Sequence, residues 1–156
     1  MKIPAGPAGL SDQDLLATAA TIAELQLPNG MIQWFPGGHA DPWNHVEAAM
    51  ALATVGMTAE AELAYQWLVD LQLPNGAWHN YYLADGIEDA KLDSNCVAYL
   101  ATGVWHHHLA TGDDGFVDRL WPTVEAAIEF VLDLQTRRGE IIWARHSDGL
   151  PGAMPC

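Results

Sequence analysis

The sequence predicts an all-α protein: an incomplete α/α toroid of about three helical hairpin repeats, with apolar inner helices and amphipathic outer ones. Three observations carry that expectation. The hexamer LQLPNG stands at Leu25 to Gly30 and again at Leu71 to Gly76, and a degenerate copy surrounds Gln135. Segments of helical periodicity with charged faces alternate with segments almost free of charge. The two-residue turn Gly56-Met57 is short enough to force antiparallel neighbours.

Taken in order, Ser11 with Asp14 forms a capping box that starts a helix running to about Leu25. Asp41-Pro42 supplies an N-cap and a proline at the first helical position, opening a helix that runs to Val55 and stops at Gly56. Glu47 is its only internal charge. Thr58 is expected to cap the next helix, which reaches about Leu71. The following helix begins at Asp93 or Ser94 and runs to Thr111, ending before Gly112. With no Asp, Glu, Lys or Arg from Ser94 onward, it must be buried nearly all round. The segment GDDGFVDR then reads as a longer connection. In the last helix Glu125, Glu129 and Asp133 share one face, which their mutual repulsion keeps in water.

The outer helices end alike. Gln26, Gln72 and Gln135 each follow a leucine, and each is followed by a glycine one helical turn on: Gly30, Gly76 and Gly139. A glutamine amide satisfies orphan backbone groups at a helix end, the glycine takes the positive φ of a tight exit, and a tryptophan such as Trp78 packs over the junction. These needs make the repeat a structural staple.

A chain of 156 residues, 50% apolar, is sized for one domain. Residues 1–156 read as a single toroid segment, the N-terminal half of a larger domain, because three hairpins do not complete a ring. The remainder of its own chain, or a second copy, is expected to close it. A net charge of -14 repels phosphate backbones, so nucleic acid is excluded as a partner. With no apolar run of membrane-spanning length, the expectation is no integral membrane segment and a cytoplasmic protein. Cys96 and Cys156 form no disulfide framework and no zinc spacing.

QLPNGAW, Gln72 to Trp78, with Trp67-Leu68 upstream, resembles the QW repeat of squalene and hopene cyclases, within the superfamily of terpenoid cyclases and protein prenyltransferases. The other copies, QLPNGMIQW and QTRRGEIIW, depart from it by placing Trp34 and Trp143 further from the glycine. The resemblance implies a toroid and an isoprenoid-handling enzyme. The cyclases' D-x-D-D acid is not matched: DGIEDAKLDSN offers Glu88, Asp89 and Asp93 at another spacing. The prenyltransferases' Asp/Cys/His zinc site is not matched either, since Cys96 has no partner. No metal and no cofactor are therefore expected.

Each loop after a repeat glycine leads to the start of an inner helix, so residues 31–44, 77–95 and 140–156 should gather at one mouth. Asp41 and Asp93 are the candidate catalytic pair, because each begins an inner helix in successive units. Capping is the competing role for both. Candidate substrate-binding residues are Trp34, His39, Trp43, His79, Tyr81, Tyr82, Asn95, Trp143 and His146, with Asp148 in the third loop. His106, His107 and His108 are no metal site, because consecutive helical positions point about 100° apart.

Aromatics and carboxylates at a concave mouth suit a small-molecule ligand, isoprenoid or carbohydrate. A cyclase would use the acid to protonate an alkene and aromatic faces to stabilise the cation. A carbohydrate-active (α/α)6-barrel hydrolase or epimerase would set carboxylates beside a sugar stacked on tryptophan. A non-catalytic binding toroid is the third possibility. The motif resemblance puts the isoprenoid enzyme first.

Overall fold

The computed structural model describes residues 11–146. Asp148, Cys156 and the end of the third mouth loop lie outside these residues. Five helices dominate: α1 (Asp12–Glu24), α2 (Pro42–Thr54), α3 (Thr58–Leu71), α4 (Ser94–Thr111) and α5 (Asp114–Asp133). The inner helices α2 and α4 pack side by side; α3 returns against α2 and α5 against α4. This is the incomplete α/α toroid expected, with α1, α3 and α5 outside.

Each element follows from its local chemistry. The capping box forms at α1, where Ser11 Oγ accepts from the Asp14 N–H at 3.2 Å and Asp14 Oδ2 accepts from the Ser11 N–H at 2.8 Å. Such a cap stabilises a helix by about 1 kcal/mol. Thr58 does not cap α3. It is the first helical residue, after Met57, and its hydroxyl turns back towards the Gly56 carbonyl. The Gly56-Met57 turn is too tight to leave Thr58 in the extended conformation an N-cap requires.

The expected long connection at GDDGFVDR is also absent. Gly112 takes φ +73° and Asp113 caps α5 at once, accepting from the Phe116 N–H at 3.0 Å. The extra length lies in the helices: α4 and α5 have 18 and 20 residues where α2 and α3 have 13 and 14. Pro122, inside α5, disguises this, because proline is costly in a helix interior.

The core runs along the seam of α2 and α4. Val46, Ala49, Leu52, Ala53 and Val97 have no exposed surface. Gly103 permits the approach, since a Cβ there would lie 2.3 Å from Val46 Cγ1 and 2.7 Å from the Tyr65 hydroxyl. The three histidines of α4 diverge: His107 is buried against Phe116 at 3.9 Å, His106 faces Thr54 and His108 faces Asp114.

The second mouth loop is longer than the first and folds into a small antiparallel hairpin, β1 (Tyr81–Leu83) with β2 (Gly86–Asp89). Two further strands, β3 (Leu92–Asp93) and β4 (Ala144–Arg145), pair antiparallel.

Candidate functional site

Backbone pairing stitches the three mouth loops together. Ala40, just before α2, exchanges hydrogen bonds of 2.9 Å with Tyr82 of β1. Asp93, just before α4, pairs with Ala144, and both the N–H and the hydroxyl of Ser94 donate to the Trp143 carbonyl at 2.8 Å. The starts of both inner helices and the third loop therefore face one concavity.

That concavity is a cavity of about 380 Å3, lined by Trp34, Asp41, Trp43, Asn44, Asn80, Tyr81, Lys91, Asp93, Cys96 and Trp143. Both candidate carboxylates are in it, although each is buried and each caps its helix. Their remaining valences differ. Asp41 Oδ1 accepts from the Asn44 N–H at 3.0 Å, while Oδ2 accepts from the Trp34 indole and the Asn44 amide, both at 2.8 Å. Both of its oxygens are engaged. Asp93 receives both donors, the Asn95 N–H at 2.9 Å and the Asn95 side-chain amide at 3.2 Å, on Oδ1 alone. Among the described residues, nothing donates to Asp93 Oδ2.

Three tryptophans rim the cavity with part of each ring open to solvent: Trp34 is 47% exposed, Trp43 37% and Trp143 39%. Each is held. The Trp34 indole is tied to Asp41, and His39 packs edge-on against it at 4.6 Å. Trp43 stacks on Tyr99 at 4.7 Å, and both donate to Glu47. Lys91 places its ammonium 5.0 Å over the Trp143 ring, within cation–π range. Fixed, half-open aromatic faces are suited to the apolar face of a sugar ring.

The other candidates lie outside the lining. His39 backs Tyr81 by stacking at 4.6 Å and bonds Glu88 through Nδ1 at 2.7 Å. Tyr82 points the opposite way from Tyr81, as successive strand residues must. It is buried against Trp67, and its hydroxyl accepts from the His79 N–H at 2.8 Å. His79 lies beside it, its ring against the Ala90 carbonyl. Asn95 serves Asp93 as described, and His146 is exposed.

Asn44, Asn80, Lys91 and Cys96 line the cavity without having been singled out as ligand contacts. Lys91 had a signal: it is one of two lysines in the chain and stands just before Asp93. Asn80 joins the cavity to the hairpin through its amide, which donates to Asp89 at 2.9 Å. Burial opposes ionisation of Asp89, but bonds from the Lys91 N–H and that amide outweigh it and hold the carboxyl below its usual range. Burial, aided by Asp93 and Asp41, pushes the Cys96 thiol up to about 12, so it stays protonated and is no nucleophile. No set of three or more His, Cys, Asp or Glu among the described residues is arranged to hold a metal. No helix among them is long and apolar enough to cross a membrane.

Comparison with known proteins first defines the class of fold. The chain superposes on cellobiose 2-epimerase from Bacillus thermoamylovorans with a TM-score of 0.70 at 16% identity, covering 92% of this chain and 42% of that one. A sugar epimerase from a ruminal bacterium gives 0.68 at 14% identity, covering 89% and 40%. The endo-β-1,4-glucanase CMCax of Acetobacter xylinum gives 0.62 at 16% identity, covering 81% and 40%. These likenesses establish an α/α-barrel type of fold.

A nearer relative is found by sequence. The chain is 47% identical over 148 residues to the MMP endo-(1,4)-3-O-methyl-α-D-mannosidase of Mycolicibacterium hassiacum. The match takes in 95% of this chain and 41% of the mannosidase, so the chain spans less than half of that relative's length. No protein-family profile matches the chain.

These findings overturn the resemblance to terpenoid cyclases and protein prenyltransferases, and with it the isoprenoid-handling enzyme and isoprenoid ligand. The QW-like motif misleads for a physical reason: its residues build helix exits. Gln26 and Gln72 donate to the carbonyls of Gly30 and Gly76 at 3.2 and 3.0 Å, and the Trp78 indole donates to the Leu68 carbonyl at 2.7 Å. Any toroid of hairpins needs such an exit, whatever its ligand.

Proposed function

We propose that this chain forms part of the barrel of an endo-acting glycoside hydrolase whose substrate is a (1→4)-linked chain of 3-O-methyl-α-D-mannose. The single observation that carries this reading is the 47% identity to the mannosidase over 95% of the chain. The cavity is compatible with it. Three anchored tryptophans offer stacking surface for successive sugar rings and their O-methyl groups, while Asn44, Asn80, Tyr81 and Lys91 offer hydrogen bonds to the remaining hydroxyls.

In this reading Asp93 is the reacting carboxylate contributed by this part of the barrel. Oδ1 is fixed by Asn95 and Oδ2 faces the sugar, so the group is oriented while keeping one oxygen for proton transfer at the glycosidic bond. Glycoside hydrolysis needs a second carboxyl group. Asp41 is a positioning residue in this scheme, because its oxygens are committed to Trp34 and Asn44, and its task is to hold the Trp34 ring.

The test is incubation of the natural polypeptide with an α-(1→4)-linked 3-O-methylmannose oligosaccharide, with products separated by chain length. Internal cleavage into shorter oligosaccharides is the expected result. Unchanged chain length with an altered sugar would identify an epimerase instead, and an untouched glycan would overturn the substrate.

A further inference from the structure

The β1–β2 hairpin departs from regular pairing at one residue. Tyr81 pairs with Asp89 and Tyr82 with Ile87, so Glu88 is left between the two pairs as the extra residue of a β-bulge. Bulges bend a strand locally and re-aim a side chain, and they are frequent beside functional sites. Here the redirected side chain reaches His39, whose Nδ1 lies 2.7 Å from Glu88 Oε2. An ionised carboxylate can only accept, which places the hydrogen on Nδ1. His39 Nε2 is buried and has no partner among the described residues, so within them Glu88 alone orients this ring by hydrogen bonding.

Glu88 and His39 come from opposite sides of β1. Tyr82 commits both its N–H and its carbonyl to Ala40 at 2.9 Å, and these two groups leave a strand on the same edge. The loop carrying His39 therefore runs along the edge away from β2, and the His39–Glu88 bond bridges across the strand that carries Tyr81. His39 stacks on the Tyr81 ring, with 4.6 Å between centroids and 26° between planes, and meets Trp34 edge-on at 4.6 Å. Tyr81 itself stands at 85° to Trp34, 6.0 Å away. Tyr81 and Trp34 line the cavity, whereas His39 and Glu88 do not. The side chains of His39 and Glu88 are 23% and 43% exposed. An ion pair that open to water adds little to stability, so what it fixes is position. Burial, with the nearby charges of Asp41 and Asp93, raises the pKa of the Tyr81 hydroxyl above its ordinary value, so it stays protonated and able to donate.

We propose that Glu88, from outside the cavity, is a positioning residue: through His39 it holds the Tyr81 ring square to Trp34 and so fixes the hydroxyl that the sugar meets. The consequence for sugar binding rests on the glycoside hydrolase reading above, while the positioning itself does not.

The test compares Glu88→Ala with Glu88→Gln, which keeps an acceptor oxygen for His39, in the natural polypeptide. Without ligand, 13C-labelled tyrosine and 15N-labelled tryptophan report on the wall, with the Tyr81 and Trp34 signals assigned by Tyr81→Phe and Trp34→Phe. Glu88→Ala should displace the Tyr81 ring signals and the Trp34 indole N–H, and Glu88→Gln should return both towards their native positions. The Trp78 indole, bound to the Leu68 carbonyl, should stay in place, and the melting temperature should hold. On an α-(1→4)-linked 3-O-methylmannose oligosaccharide, Glu88→Ala should raise KM about fivefold and leave kcat within about twofold, as expected for lost binding and intact chemistry. Tyr81 and Trp34 signals that stay native in Glu88→Ala would overturn the positioning. An unchanged KM in spite of displaced signals would overturn its part in sugar binding. If the natural polypeptide leaves the glycan untouched, the hydrolase reading falls, and the ligand-free signals still decide for or against Glu88.

Discussion

Asp41 and Asp93 occupy equivalent places at the starts of successive inner helices, yet their surroundings give them different capacities. Around Asp41, the first loop brings back Trp34 and the helix offers Asn44, so three donors share two oxygens. Around Asp93, among the described residues, the donors come from Asn95 alone and crowd onto one oxygen. The residues one turn further along differ too: His45 in α2 and Val97 in α4. His45 ties the Asp41 loop down, its Nδ1 accepting from the Ile32 N–H at 3.2 Å while Nε2 donates to the Ala64 carbonyl at 2.9 Å. A shared capping role therefore leaves Asp41 with both oxygens engaged and Asp93, among the described residues, with one oxygen free, which is why the proposed reading gives the chemistry to Asp93. The spare valence separates the two roles.

The largest effect expected from this contrast is on turnover. Asp93→Asn should lower kcat on the methylated mannan oligosaccharide by about a thousandfold, while thermal denaturation moves little because asparagine remains a good N-cap. Comparable losses for Asp41→Asn would break the distinction between the two.

Next is acid stability. Burial, the dominant influence, lowers the His45 pKa from 6.5 to about 4, and only the neutral ring can accept from Ile32. Its folded pKa is below its unfolded value, so its contribution is present above pH 6.5 and is lost as pH falls through 4. About 3 kcal/mol is at stake. Denaturant unfolding across that range should show the loss, and His45→Gln should flatten that part of the profile.

Asp41→Asn follows, with an expected stability loss of about 1–2 kcal/mol and a released Trp34 seen as a red-shifted tryptophan emission. Here KM should rise more than kcat falls, because in the proposed reading Trp34 serves to bind the sugar and takes no part in proton transfer. Trp143→Ala is the smallest, weakening oligosaccharide binding by about 1 kcal/mol in calorimetric titration without changing the melting temperature.

The helices and the toroid were legible because they rest on local signals: the glutamine exits, the capping box and the uncharged stretch after Ser94. Asp41 and Asp93 were legible as a pair because helix starts are readable and the repeat aligns them. Other features depend on geometry that a linear pattern does not carry. Tyr81 and Tyr82 read alike until the strand sends one to the cavity and the other into the core. Asn95 reads as a ligand contact until its amide is found on Asp93. Pro122 hides the length of α5. The family was misjudged because the motif that stood out most serves helix ends, and helix ends are shared by unrelated chemistries.

The most direct test of the central claim is a side-by-side product analysis of the natural polypeptide and its Asp93→Asn variant on α-(1→4)-linked 3-O-methylmannose oligosaccharides. The account predicts internal cleavage by the natural protein and intact glycan bound, but not cut, by the folded variant. Equal cleavage by both would remove Asp93 from the chemistry, and no cleavage by either would remove the substrate.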